Sequence, residues 1–223
     1  MSNKPPKKSD KNKPWIEKRR DRHKLINPEY HLIVSEGEKT EPNYFNGLKK
    51  DIGENGRKIK IEIPTRKGSK NPLMLVDSAQ KSVDDYRKND IYIKHVWVVY
   101  DKDDVPDNIF NDAAEECRKI SNDEITYHAL WSNESVEYWF VLHYEYLNTD
   151  TGREDYYPKL SKYMKKEYDK ADEKIYDILK PQYKEAIKNA KRMMKEHGNA
   201  KPSECRPGTR IYEIFDYLKA YIK

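Results

Sequence analysis

The sequence predicts an α/β fold: a parallel four-stranded sheet with helices on both faces, followed by a C-terminal helical region. From residue 30 to residue 146, segments with a strand pattern alternate four times with segments at helical spacing. This alternation is typical of the crossover connections in a parallel sheet. After residue 147 only helical patterns remain. We therefore predict a basic, disordered tail over residues 1–28, an α/β core over residues 29–147, and a helical region over residues 148–223 packed on the core.

Short runs rich in β-branched and aromatic residues predict the four strands. Tyr30 to Ser35, Lys94 to Tyr100 and Ile125 to Trp131 are apolar runs. The second of these contains five consecutive β-favouring residues, the pattern of a strand buried on both faces. Residues 58–64 alternate strictly between isoleucine and polar residues, which indicates an edge strand covered on one side.

Helical spacing of apolar residues, with N-terminal signals, predicts the helices. Thr40 is the expected N-cap of the first helix, and Asn71-Pro72 opens the second. In the core we expect helices over residues 40–52, 72–89, 106–120 and 133–146. In the C-terminal region we expect them over residues 158–170, 172–180, 182–197 and 208–222, with no further strand.

The positive charge of the chain is concentrated at its beginning. Of the 223 residues, residues 1–24 hold ten Lys/Arg against three acids, a net charge of +7. The remainder holds 34 Lys/Arg against 36 Asp/Glu, a net charge of −2. Such a tail binds phosphate backbones through counterion release, so nucleic acid is the expected partner. A tail that only improves solubility is an equally open alternative.

The sequence lacks the features of membrane, secreted and zinc-binding proteins. Its longest apolar run is too short for a bilayer span, and the lysine-rich start has no apolar signal segment. Cys117 and Cys205 lie far apart, so we expect neither a disulfide framework nor a zinc site. We expect a soluble, cytoplasmic protein with no membrane partner.

Carboxylates follow two of the predicted strands. Asp101 and Asp103 come at the end of the third strand, and alternation along a strand would place them on the same side. Glu36 follows the first strand. If these strands are neighbours, the three acids meet at the edge where α/β sheets bind their ligands. Because clustered carboxylates repel, and a divalent cation relieves this, we predict a Mg²⁺ site there.

Basic and hydroxyl side chains near these acids are candidates for phosphate contact. Lys39 and Thr40 lie in the turn into the first helix, and Lys102 stands between the two aspartates. A helix N-terminus favours phosphate. An ATP-binding P-loop is excluded because Glu38 and Ile33 stand where that motif requires glycine.

Two further segments carry candidate residues. Glu137 is a single acid among apolar residues of a helix that we expect to be buried, so it needs a cation or donors. A buried ion pair with a Lys or Arg from elsewhere is the alternative. Arg206 and Arg210 flank a predicted helix N-terminus and suit phosphate contact, whereas Thr209 between them is equally well explained as an N-cap. His143 is expected to be a core histidine rather than a general base.

The first strand ending in Glu-Gly, over Ile33 to Glu41, and the second motif Asp101-Lys102-Asp103 resemble the Toprim domain of topoisomerases, bacterial primases and OLD-type nucleases. More narrowly, the chain resembles the RloB family of prokaryotic defence-associated proteins. That resemblance rests on residues 36–45 and 98–104, and on Ser132-Asn133 with Glu137 and Trp139. It covers most of residues 30–222. Glu134 departs from the family pattern, which often has proline there.

The resemblance implies a Toprim, Rossmann-like sheet and Mg²⁺ (or Mn²⁺) held by Asp101 and Asp103. Glu36 would be the third ligand or a general acid/base, with Glu38 as its competitor. The expected catalytic residues are Glu36, Lys39, Asp101, Asp103 and Glu137. Phosphate contacts are expected from Lys39, Thr40, Lys102, Asn133, Arg206 and Arg210. An ATPase encoded nearby is the expected partner, with a role in phage defence.

These features favour a Mg²⁺-dependent nuclease acting on RNA or DNA. The chain is too small for the nucleophile-bearing region of a topoisomerase, and its two cysteines do not provide a primase zinc region. A non-catalytic module that senses nucleic acid or nucleotide for an ATPase complex is the first alternative. Hydrolysis of small nucleotides or pyrophosphate by the same acids is the second.

Overall fold

The structure is a computed structural model that describes residues 28–55, 58–64 and 71–222. The predicted basic tail, apart from Pro28, and residues 65–70 lie outside the described residues.

The sheet has five strands in the order β2-β1-β3-β4-β5. These are β1 (Glu29–Ser35), β2 (Ile59–Glu62), β3 (Ile93–Asp101), β4 (Thr126–Asn133) and β5 (Gly208–Thr209). The first four strands are parallel, as predicted, and β2 lies at the edge. The chain passes from β1 outward to β2 and returns to β3 on the other side of β1. The strand order therefore reverses between β1 and β3, the position at which open α/β sheets bind ligands.

The fifth strand contradicts the prediction that no strand follows residue 147. Gly208 and Thr209 pair antiparallel with Asn133 and Ser132 at the end of β4. The Thr209 hydroxyl lies 3.0 Å from the Ser132 hydroxyl, and it also accepts a hydrogen bond from the backbone N–H of Ile211 at 3.2 Å. A two-residue strand shows no alternation that a sequence pattern could reveal. The last helix consequently starts at Tyr212, not at residue 208.

Eight α-helices are present in the described part of the chain. In the core they are α1 (Thr40–Asn55), α2 (Pro72–Arg87), α3 (Asp107–Ile120) and α4 (Val136–Val141). In the C-terminal region they are α5 (Arg153–Met164), α6 (Ile175–Leu179), α7 (Tyr183–His197) and α8 (Tyr212–Leu218). Helix α4 is shorter than predicted at both ends, since β4 runs through Asn133 and residues 142–144 form turns.

The helices form one layer on each face of the sheet. Helices α2 and α3 cover one face, where Val76 and Phe110 pack against Val96 and Val98 of β3. Helices α1 and α4 and the C-terminal helices cover the other, where aromatic groups surround the sheet residues Trp97 and Val99. No helix in the described residues has both the length and the apolar character required to cross a membrane.

A histidine network lies at the amino-terminal ends of the strands, far along the sheet from Asp101. We use this name for Glu29, His31, His95, His128 and Tyr217. The Tyr217 hydroxyl of α8 donates to Glu29 at 3.0 Å and lies 2.9 Å from His95 Nε2. His95 Nδ1 lies 3.0 Å from His128 Nε2, and His31 Nε2 lies 2.9 Å from Glu29. The network thereby connects α8 to β1, β3 and β4.

The hydrogen bonds of the network determine where the protons lie. Trp97 Nε1–H donates to His31 Nδ1 at 3.0 Å, so the His31 proton is on Nε2 and is donated to Glu29. Tyr217 donates to Glu29 and therefore accepts from His95 Nε2–H. His95 Nδ1 is then an acceptor, and His128 Nε2–H is its donor. His31 and His95 are neutral in this arrangement, since each uses one ring nitrogen as an acceptor.

Candidate active site

The carboxyl ends of β1 and β3 lie side by side and bring two predicted acids together. Glu36 follows β1 directly, and Asp101 is the last residue of β3. The Glu36 N–H donates to the Val99 carbonyl at 3.0 Å, and the Asp101 N–H lies 3.4 Å from Glu36 Oε2. The predicted adjacency of these strands is confirmed.

A cleft of about 320 Å³ opens above these strand ends. The loop from β1 into α1 forms one wall, and residues of the C-terminal region form the opposite wall. Its side chains are acidic at the base and cationic at the edges. The lining residues are Glu36, Gly37, Glu38, Lys39, Thr40, Glu41, Asp101, Asp103, Ser135, Val136, Glu137, Arg153, Tyr157 and Lys170.

Asp101 is a buried carboxylate at the base of the cleft. Its Oδ2 accepts the N–H of Val136 at 3.0 Å, whereas its Oδ1 is buried with no hydrogen-bond partner in the described structure. Burial raises the pKa of Asp101 well above its ordinary value, and the nearby Glu41 and Glu137 raise it further. A buried carboxylate oxygen without a donor is costly, so this side chain is suited to an added cation or proton.

Glu41 is a site residue that the sequence interpretation missed. It lies in the first turn of α1, is 6% exposed and lines the cleft. Its carboxylate accepts the backbone N–H groups of Gly37 and of Glu41 itself. Burial, and then the neighbouring Glu137, raise the pKa of Glu41. Its position five residues after Glu36, on the first turn of the adjoining helix, was the available signal.

Gly37 is required for this contact. A Cβ atom at position 37 would lie 2.1 Å from Glu41 Oε2, which is far inside van der Waals contact. Only a residue without a side chain lets the loop after β1 approach the Glu41 carboxylate this closely.

Glu137 is a buried cleft residue that forms an ion pair with an exposed lysine. It is 2% exposed, and its Oε1 accepts the Tyr168 hydroxyl at 3.0 Å. Lys170 Nζ lies 3.6 Å from the same oxygen. The alternative of a basic partner from elsewhere is therefore confirmed, and this partner itself lies in the cleft.

Asp103 lies in the cleft, but strand alternation does not place it there. Strand β3 ends at Asp101, and the N–H groups of Lys102 and Asp103 donate to the Glu134 carbonyl at 2.9 and 3.1 Å. Asp103 adopts a left-handed conformation with φ +33°. Its carboxylate pairs with Arg153 at 2.6 Å. Asp101 and Asp103 do line the same cleft, but the predicted cause, alternation along one strand, is wrong, because β3 ends at Asp101 and a tight turn follows.

The predicted phosphate-binding residues divide into two groups. Lys39, which is exposed, and Thr40 line the cleft. Lys102 points away, with its ammonium 2.6 Å from the Val105 carbonyl and 3.1 Å from Asp107 at the start of α3.

Three further predicted residues do not line the cleft. The Asn133 amide donates to the carbonyls of Pro202 and Ser203 at 3.3 and 3.1 Å. Arg206 pairs with Glu134 and, at 2.8 Å, with Asp150, whereas Arg210 pairs with Glu213. These side chains connect the segment around β5 to the core and to α8.

The donor set fits a hard divalent cation. The acids of the cleft offer carboxylate oxygens only, the ligands that Mg²⁺ prefers, and Asp101 has an unpartnered oxygen. In the described residues, no three His, Cys, Asp or Glu side chains are arranged as a group that could hold a metal ion. Asp103 is held by Arg153, and Glu137 by Tyr168 and Lys170. Metal binding by Asp103 or Glu137 would have to compete with these partners.

Comparison with models of known protein families shows to which family the chain belongs. A family model described as RloB-like protein matches residues 31–218. The chain belongs to the RloB-like family. The match in this RloB-like protein runs from β1 into α8 and includes all residues that line the cleft. No curated protein and no solved structure matches the sequence.

Proposed function

We propose that this RloB-like protein is a metal-dependent nuclease that hydrolyses phosphodiester bonds in RNA or DNA. The observation that carries the proposal is the buried Asp101 carboxylate. One of its oxygens has no partner, and the acids Glu41 and Glu137 raise its pKa at the switch point of the sheet. From the family resemblance we further propose a role in antiphage defence with an ATPase partner.

The carboxylates would hold Mg²⁺ or Mn²⁺, with Asp101, Asp103 and Glu36 as ligands. Glu41 and Glu137 are close enough to Asp101 to affect its pKa, so they add negative charge to the same site. A bound divalent cation supplies charge stabilisation at the scissile phosphate and an activated water. Lys39, exposed at the edge of the cleft, would contact an adjacent phosphate.

A non-catalytic sensing module is the second candidate. The observation that favours it is the internal neutralisation of the cleft, because Arg153 and Lys170 already pair with Asp103 and Glu137. Such a protein would bind nucleic acid without changing it.

The test is cleavage of a mixed panel of tRNA, mRNA, plasmid and single strands with Mg²⁺ or Mn²⁺, with and without the neighbouring ATPase. We expect Asp101→Asn and Glu36→Gln to abolish cleavage with the fold unchanged. Asp104→Asn is the matched control, since Asp104 is an exposed acid in the same turn that does not line the cleft. Cleavage that persists in both site variants contradicts the proposal. Binding without cleavage supports the sensing module, and phosphate release from small nucleotides alone supports nucleotide hydrolysis.

A further inference from the structure

The segment between α5 and α6, residues 165–174, contributes to the wall of the cleft and is firmly attached to it. We call it the 165–174 loop. The Asn43 amide of α1 donates to the Ala171 carbonyl at 3.0 Å. The Tyr168 hydroxyl donates to Glu137 at 3.0 Å. These contacts on two sides of Lys170 hold its backbone beside the carboxylates.

The Lys170 side chain combines proximity to the acids with access to solvent. Its ammonium lies 3.6 Å from Glu137 Oε1 and 5.0 Å from the centre of the Tyr157 ring. The side chain is 56% exposed, although that of Glu137 is only 2% exposed. A separation of 3.6 Å is longer than the usual N–H···O distance of about 2.7–3.2 Å, so this ion pair is loose. The ammonium can therefore donate to another acceptor in the cleft.

A divalent cation and an ammonium group compete for the same carboxylates. Both are positive, and at separations of a few ångströms in a partly buried cleft they repel strongly. While no metal is bound, the positive charge of Lys170 compensates the buried negative charge of Glu137. Once a metal ion neutralises the acids, Lys170 loses Glu137 as its partner. A phosphate oxygen is then the strongest acceptor that a nuclease substrate offers to the Lys170 ammonium.

We propose that Lys170 is a phosphate-binding residue that exchanges partners: it pairs with Glu137 in the metal-free cleft and with a substrate phosphate in the metal-bound cleft. The inference rests on the proposed function. It assigns to the C-terminal region a direct contact with the nucleic acid.

Arg153 has a parallel arrangement on the same side of the cleft. It comes from the first turn of α5, pairs with Asp103 at 2.6 Å, and its side chain is 42% exposed. Both cations thus come from the C-terminal region, whereas the acids come from the α/β core.

The experiment measures two affinities of full-length Lys170→Met. Calorimetry measures Mn²⁺ binding, and fluorescence anisotropy measures binding of a labelled single-stranded RNA with Ca²⁺ over a range of salt concentrations. We expect Mn²⁺ to bind about fivefold more tightly because a competing cation is gone. We expect RNA to bind more weakly, with a salt slope reduced by about 1 because one phosphate contact is lost. Lys170→Arg should retain the RNA affinity.

Lys166→Met is the matched control. Lys166 belongs to the same loop and pairs with Asp172, but it does not line the cleft. Its removal takes away the same charge and should change neither the Mn²⁺ affinity nor the salt slope. A purely structural Lys170 would shift both affinities of Lys170→Met in the same direction or leave both unchanged, and either result overturns the inference. If the opposite shifts appear but no substrate is cleaved, the nuclease assignment fails and the partner exchange stands.

Discussion

At the scale of single residues, the buried Asp101 carboxylate, with one oxygen lacking a partner, makes the metal-free protein less stable than it could be. Its charge is buried beside Glu41 and Glu137, and only one of its oxygens accepts a hydrogen bond. We predict that Asp101→Asn abolishes activity but stabilises the metal-free protein by about 1 kcal/mol, as often occurs when a strained functional group is neutralised. Thermal unfolding in a chelating buffer measures this difference.

The pH dependence provides the control for that prediction. The pKa of Asp101 is raised in the folded protein, so the destabilisation is present at neutral pH and disappears as the pH falls and the carboxyl takes up a proton. The stability advantage of Asp101→Asn over the wild type should therefore shrink from pH 7 towards pH 4. An advantage that grows on acidification would contradict this account.

Gly37 offers a second test at this scale. We predict that Gly37→Ala displaces the Glu41 carboxylate, because the new Cβ cannot share its space, and weakens Mn²⁺ binding about tenfold. Gly53→Ala in α1 is the matched control, since a Cβ there meets nothing within 4 Å. That change should leave Mn²⁺ binding intact and stabilise the protein slightly, as alanine is the better helix former. Equal Mn²⁺ affinities in the two variants would show that Glu41 does not contribute to the site.

The acids at the ends of the strands were predictable from the sequence. The cleft residues that tertiary packing contributes from the C-terminal region were not. Glu36 and Asp101 were predictable because parallel strands present their carboxyl ends at one edge. Arg153 and Lys170 come from the C-terminal region, and no local pattern indicates which of its many basic residues would face the core. Only the tertiary packing selects them.

At the scale of elements, the histidine network makes the attachment of α8 to the sheet sensitive to acid. Burial lowers the pKa of His31 to about 4, and burial together with His95 and His31 lowers that of His128 to about 4. These histidines resist protonation in the folded protein, while in the unfolded chain they titrate near about 6.5. The unfolded state therefore binds more protons between these values, and folding stability falls as the pH drops from about 6.5 to 4.

We predict that His128→Asn reduces this acid sensitivity. Its unfolding midpoint should fall less between pH 7 and pH 4.5 than that of the wild type, as measured by circular dichroism. His197→Asn is the control, because His197 lies outside the network and bonds the Pro207 carbonyl instead. An identical pH profile for wild type and His128→Asn would show that the network does not control the stability.

Helices and strands long enough to show a clear periodic pattern of apolar residues were predictable from the sequence, whereas the shortest ones were not. Strand β3 and helices α2 and α3 have enough residues for their alternation or helical spacing to be unmistakable. Strand β5 has two residues and depends on pairing with β4, which local sequence does not encode. Helix α4 was predicted too long because apolar residues continue past its end into the turns after Val141.

At the scale of the whole molecule, charge separates the beginning of the chain from the rest. Residues 1–24 carry a net charge of +7, against −2 for the remainder. We predict that deleting residues 1–24 weakens nucleic-acid binding and lowers its salt slope, while the cleavage rate at saturating substrate is retained. Anisotropy titrations over a range of salt concentrations check this. An unchanged slope would assign the tail a solubilising role.

The C-terminal region packs against the helices of the α/β core that border the cleft. Phe215 of α8 packs in the same cluster as Tyr44 of α1 and Trp139 of α4, and Trp139 donates to the Tyr44 hydroxyl at 2.8 Å. Helix α1 starts in the loop that carries Lys39, and α4 carries Glu137. The last helix therefore packs against the two helices, α1 and α4, that adjoin or carry residues of the cleft.

This arrangement separates the synthesis of the acids of the cleft from the synthesis of the residues that pack around them. Domains fold as the chain emerges from the ribosome, amino-terminal parts first. Here Lys170 and Phe215 follow Glu36 and Asp101 in the chain, so a nascent chain carries the two acids before the groups that pack around them. The surroundings of these acids are therefore complete only after Phe215 has been synthesised and has packed against Tyr44 and Trp139.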